Sequence, residues 1–218
     1  MLQYHHYLEL GSFAVGLICL NNRWTFCYKV LLFFAALTFM VELLGHQLAF
    51  KFENNNWLYN IFSPFECIVI LYFFSQITRE KKMRKIILSF IPIMLLATIV
   101  TYILRPNFFV YNSYARTVYL VLWVLTCCFY FVDVMINDNR VSLIKQPGFW
   151  IATGVLFFSV IFIILQSLYN IFTTLPNYKI IVRYFIIVAN TFLYVGFAGA
   201  FICQHIATKY YSPSSQPA

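Results

Sequence analysis

The sequence predicts an all-α fold, a polytopic transmembrane bundle of seven helices. Three observations carry this expectation. Of the 218 residues, 62% are hydrophobic and only 10% are charged, whereas a soluble domain carries about 25% charged residues. A water-soluble fold of this size could not bury that much apolar surface. The apolar residues also fall in runs long enough for a bilayer, whose hydrocarbon core takes about 20 helical residues. Finally, the runs are continuous rather than alternating, which does not fit a transmembrane β-barrel.

The elements follow in order. The first helix is expected over residues 4–20, short and carrying Glu9. The N-terminus has no Lys or Arg and no small-x-small cleavage site follows, so this segment reads as retained rather than as a signal peptide. The second helix spans 26–50 with Lys29, Glu42 and His46, and the third spans 57–77 with Asn60, Pro64 and Glu66. The fourth, 86–104, has no charge before its end, and the fifth, 117–136, carries Asp133. The sixth, 148–172, holds Gln166 and Asn170, and the seventh, 180–203, holds Arg183 and Asn190. Residues 1–206 thus read as one seven-helix domain. Residues 207–218, which end in Ser, Pro and Gln, read as a disordered cytoplasmic tail. Every loop is short, so a site must lie within the bundle or in its loops.

Orientation follows from the Lys and Arg residues. Ten of the 15 fall on one side, with the tract Arg79, Lys81, Lys82, Arg84 and Lys85 at their centre. Five fall on the other side: Lys51, Arg105, Arg116, Lys179 and Arg183. The richer side is expected in the cytoplasm, which puts the N-terminus outside and the C-terminus in the cytoplasm. The tract reads first as a topological anchor in the lipid bilayer. Its functional reading is a docking surface for acidic lipid or for a cytoplasmic or membrane signalling partner. The net charge of +8 is accounted for by these loops and does not indicate nucleic acid. The six cysteines form no C-x-x-C pair and read as small hydrophobes.

Ionisable groups at membrane depth are costly and tend to face a bundle interior. Glu9, Glu42, His46, Asn60, Glu66, Gln166, Asn170, Arg183 and Asn190 all fall between the midplane and the outer face. Glu66 is nine residues down its helix, about 13 Å at 1.5 Å per residue. Glu42 and His46 are spaced i, i+4 and share a face. The inner half holds little beyond Lys29 and Asp133 at helix ends, where both can reach the interface. The candidate site is therefore a polar cavity open toward the outside, in which Arg183 is the expected partner of Glu42 or Glu66. Taken singly, Gln166, Asn170 and Asn190 read better as interhelical hydrogen-bond glue. One membrane-depth His is too few for the usual zinc site. There is no phosphate-binding glycine loop and no lysine placed for a retinal Schiff base, so no metal or cofactor is expected.

The second and sixth helices align without gaps, with Glu42 on Gln166 and His46 on Asn170. This would suit a 3+1+3 parallel duplication with the fourth helix as linker. The same offset pairs Glu9 with Asp133 at opposite helix ends, so the match does not reach the first and fifth helices. Four stretches carry a resemblance: residues 2–9 (LQYHHYLE), 56–60 (NWLYN) with Pro64 and Glu66, 147–158 (PGFWIATGVLFF), and 201–204 (FICQ). They resemble a group of multi-pass integral membrane proteins from Bacteroidota bacteria to which no activity is assigned. The resemblance implies a helical bundle in the bacterial inner (plasma) membrane and transfers no catalytic residue.

Three function classes remain. The leading one is a sensor-like or receptor-like module with a small ligand in the outer cavity. The second is an intramembrane lipid-modifying enzyme using Glu42, His46 and Glu66. The third is a small transporter or proton-coupled carrier, against which stands the lack of a second polar cluster in the inner half.

Overall fold

The structure, a computed structural model, describes residues 4–137, 142–168 and 177–210. Among these residues it is all-helical, with seven α-helices and no strand. They are α1 (Tyr4–Cys19), α2 (Phe26–Phe52), α3 (Asn56–Ile77), α4 (Lys81–Leu104), α5 (Ser113–Asn137), α6 (Pro147–Ser167) and α7 (Tyr178–Tyr210). Helices α2 to α7 are each long and apolar enough to cross a membrane, and α1 is a shorter apolar helix. The chain is a multi-pass helical membrane protein. Its outward side chains are apolar, as lipid requires: Phe26, Phe50, Ile103 and Leu104 are each at least 70% exposed.

Six helices form a ring in which α1, α2, α3, α5, α6 and α7 are successive neighbours and α7 returns to α1. Helix α4 lies outside this ring against α3 and α5. Its sequence explains the position. It buries only Ile87, Phe90 and Met94, a single stripe at i, i+3, i+7. By contrast α5 buries Arg116, Tyr119, Trp123, Cys127, Tyr130 and Val134 along one face. The end at which α1 starts is called the N end here, and the opposite end the C end. Helices α1, α3, α5 and α7 run from the N end to the C end, and α2, α4 and α6 return.

Helices α6 and α7 approach more closely than bulky side chains allow. A Cβ on Gly154 would lie 2.8 Å from the Phe192 carbonyl oxygen, and one on Gly196 would lie 2.6 Å from the Trp150 carbonyl oxygen. Small residues at facing positions are the membrane solution to backbone-close packing. The C-end half of the interior is aromatic. Trp24 stacks on Phe201 at 5.6 Å, and Tyr28, Phe73, Phe74 and Tyr130 continue edge to face from helix to helix.

The bounds differ most from expectation at four places. Helix α6 ends at Ser167 rather than at 172. Helix α5 starts at Ser113, four residues before the expected Thr117. Helix α4 starts at Lys81 rather than Ile86, since lysines are good helix formers that can keep their ammonium groups in water. Helix α7 continues to Tyr210, past the start of the expected tail at 207. One side chain is also placed differently, because Asp133 does not reach out to the interface. It is 1% exposed, and its carboxylate accepts the backbone N–H groups of Arg79 (3.0 Å) and Glu80 (2.8 Å) just ahead of α4. Asn170 and residues 211–218 lie outside the described residues.

Candidate functional site

The N end of the ring encloses a polar cluster built by α1, α2, α3, α5 and α7. Glu9 on α1 is 2% exposed and accepts a hydrogen bond of 2.9 Å at Oε1 from the Tyr194 hydroxyl on α7. Glu42 on α2 accepts one of 2.8 Å from the Tyr59 hydroxyl on α3. Gly45 allows that approach, because a Cβ there would lie 2.6 Å from the same hydroxyl. Glu66 on α3 is paired with Arg116 on α5. The three acids are electrostatic neighbours: Glu9 of Glu42, and Glu42 of Glu66 and Arg116. Tyr194 is a neighbour of all three. The imidazoles of His6 and His46 meet edge to face, 6.0 Å apart between ring centres.

Arg116 is the site residue that the charge pattern of the sequence misplaces. Expected as a loop charge, it instead lies in the first turn of α5 at 7% exposure, its guanidinium 5.1 Å from the Trp123 ring centre. The α4–α5 connection explains its depth. Asn60, itself buried, donates to the carbonyl oxygens of Phe108 (2.8 Å) and Val110 (2.9 Å), and its Oδ1 accepts the Asn112 N–H at 3.0 Å. Asn54 and Asn56 both donate to the Phe109 carbonyl. The loop is thereby folded down over α3, and α5 begins level with the second turn of α3. One further turn of α5 carries Arg116 to Glu66. The expected pairing of Arg183 with Glu42 or Glu66 is thus replaced by Arg116, and Arg183 is exposed near the start of α7. The signal was present in the sequence: Arg116, Tyr119, Trp123 and Tyr130 lie on one helical face.

The remaining candidates divide. Gln166 accepts a hydrogen bond of 2.6 Å from the Thr117 hydroxyl and ties α6 to α5. Asn190 donates to the Ile186 carbonyl one turn back on its own helix. Asn60 is a clamp for the loop. The structure thus brings together Glu9, Glu42 and Glu66, with His46 one turn beyond Glu42 on α2 and against His6 of α1. Asn60→Ala strands the loop carbonyls it now satisfies, which should cost about 1–3 kcal/mol. The expected result is faster chymotryptic cleavage after Phe108 or Phe109 in the purified protein, with α-helical circular dichroism retained.

Space at this end is small. Between α3, α4 and α5 a cavity of about 10 Å³ is lined by Asn60, Ser63, Pro64 and Tyr111 among others, about enough for one water. Pro64 lacks the N–H that the Asn60 carbonyl would accept in a regular helix, and both residues line this gap. A larger cavity of about 160 Å³ lies at the C end, lined by Tyr28, Arg79, Tyr130, Asp133 and Gln146 with apolar neighbours. The half of the bundle expected to be almost purely apolar therefore has a polar chamber of its own.

Chemically, the cluster sets three carboxyls against one guanidinium. Glu66 is satisfied by Arg116. Glu9 Oε2 is buried with no hydrogen-bond partner among the described residues. Among the described residues, no three His, Cys, Asp or Glu are grouped so as to hold a metal ion. Comparison with protein-family models, with curated proteins and with solved structures finds no match to this chain.

Proposed function

We propose that this chain is a receptor-like module of the bacterial inner membrane whose ligand is a compact ammonium group, ammonium itself or the head of a primary amine. The observation that carries this reading is the buried Glu9 Oε2, an acceptor without a donor among the described residues. A buried carboxylate without compensation is strongly disfavoured. Arg116 does not supply that compensation, because Glu66 holds it. Glu9 therefore needs a proton or a cation, and the neighbouring Glu42 carboxyl adds to that need. A cation bearing N–H groups supplies both charge and donor. The excess of Lys and Arg at the C end supports a cytoplasmic C end and an outward N end. The tract from Arg79 to Lys85 is then available to acidic headgroups or to a signalling partner.

The test is thermal unfolding of the purified protein in neutral detergent at constant ionic strength. Ammonium and methylammonium chloride should raise the melting temperature, and tetramethylammonium, which has no N–H, should not. Glu42→Gln and Glu9→Gln should each remove the ammonium effect and leave a folded protein. Equal stabilisation by tetramethylammonium, or an undiminished ammonium effect in both variants, contradicts the proposal.

A carrier is the second reading, favoured by two observations. The polar chamber at the C end supplies the second cluster that a path across the bundle would need. The neighbour order of the ring also maps onto itself when α1 to α3 are exchanged with α5 to α7, as a 3+1+3 duplication would require. The offset that aligns Glu42 with Gln166 aligns Glu66 with Asn190 as well.

A further inference from the structure

We infer that the C-end chamber is a binding site for a phosphate-bearing anion, and that the phospholipid headgroup region is the nearest source of one. The chamber is separate from the ammonium site at the N end. It lies between the ends of α3 and α5 and the starts of α2 and α6, at the level where the membrane-spanning part of α3 stops at Ile77. Its volume of about 160 Å³ is several times the roughly 30 Å³ that one water occupies in the liquid. A phosphate group fits with water to spare, and a lipid glycerol backbone can remain outside.

The chemistry of the wall selects an anion. Arg79 contributes a guanidinium, the side chain best shaped to grip phosphate oxygens. Tyr28, Tyr130 and Gln146 add phenol and amide groups to the wall. Asp133 also lines the chamber, but backbone and amide donors surround its charge. One carboxylate oxygen takes the Arg79 N–H, and the other takes the Glu80 N–H and the Asn137 side-chain amide at 3.1 Å. Asp133 therefore serves as the anchor that turns residues 79 and 80 across the chamber, and its engaged oxygens oppose an incoming anion less than a bare carboxylate would. From Arg79 the chain runs directly into the basic first turn of α4, with Lys81, Lys82, Arg84 and Lys85, which raises the local concentration of anions at the mouth. Gly148 keeps the chamber open, because a Cβ there would lie 2.4 Å from the Tyr130 hydroxyl and would drive that ring from its place.

The experiment is thermal unfolding of the full chain in neutral detergent at one sodium concentration. The probes are dioleoyl phosphatidylglycerol, dioleoyl phosphatidylcholine, inorganic phosphate and sulfate. The expected result is a rise in melting temperature of several degrees with phosphatidylglycerol that Arg79→Gln removes and the double variant Lys82→Gln/Lys85→Gln retains. If inorganic phosphate stabilises in the same Arg79-dependent way, the site takes free phosphate as well as lipid. If only phosphatidylglycerol does so, the lipid headgroup is the ligand. Three results overturn the inference: equal stabilisation by phosphatidylcholine, no stabilisation by phosphatidylglycerol or phosphate, or an effect that the lysine double variant removes and Arg79→Gln does not. The Arg79 side chain is exposed, so Arg79→Gln should leave a folded protein.

Discussion

Arg116→Leu should lose about 3–5 kcal/mol of stability, the range found when one partner of a buried ion pair is removed. The cause is the carboxylate left behind without its cation. Glu66 sits with Arg116 in an interior where both side chains are about one-tenth exposed, and Glu42 is already an electrostatic neighbour. Removing the guanidinium leaves the acids of the cluster to share one interior without it. The double variant Glu66→Gln/Arg116→Leu should recover most of the stability, because it removes the stranded charge together with its partner. Glu42→Gln in the Arg116→Leu background should recover part of it, since it relieves the same repulsion. Unfolding in mixed detergent, followed by circular dichroism across this set, measures the coupling directly. Simple additivity of the two changes at 66 and 116 would show that the pair is not coupled.

Gly154→Leu should cost about 3 kcal/mol, the upper part of the range for overpacking, and should do so without touching the polar cluster. The Gly154 position has no space beyond its hydrogen: the Cβ direction ends on the Phe192 carbonyl, with the Gly196 and Leu193 Cα atoms at 3.3 Å. These neighbours are backbone and cannot rotate away, so α6 and α7 must separate. Gly154→Ala should show the same effect at roughly a third of the size, about 1 kcal/mol. The melting temperature of the two variants should fall in that order. A Gly154→Leu protein as stable as the original would mean that α6 and α7 do not meet backbone to backbone.

The helices were legible because lipid leaves few alternatives. A chain crossing a bilayer must satisfy its backbone internally and show apolar side chains for about 20 residues, so the long runs announce themselves. Glu9, Glu42 and Glu66 were legible for the converse reason: charge at such depth is too costly to be incidental. Arg116 was not, because a cation near a loop reads as a topological marker, and only the asparagine clamp on the 105–112 loop draws it down to Glu66. Arg183 misled through the converse error: it read as a cavity cation, whereas a long side chain near a helix end can reach water. The C-end chamber was hidden for a different reason. Its walls are tyrosines, which count as apolar in a hydrophobic run, and an aspartate whose partners are backbone N–H groups, one of them 53 residues earlier. Side-chain patterns do not show such groups. The α7 extension past residue 206 was likewise hidden, because the polar end of a membrane helix resembles a tail by composition.

Arg116 compensates Glu66, and in the proposed function this leaves Glu9 to offer its open oxygen to an ammonium group. Carbodiimide labelling of the purified protein, located by mass spectrometry, tests this most directly, because a hydrophobic carbodiimide attacks buried carboxyls that are not held in an ion pair. The expected result is labelling at Glu9, little at Glu66, and protection of Glu9 by ammonium but not by tetramethylammonium. Labelling of Glu66 as fast as Glu9, or labelling of Glu9 that ammonium does not slow, would contradict it.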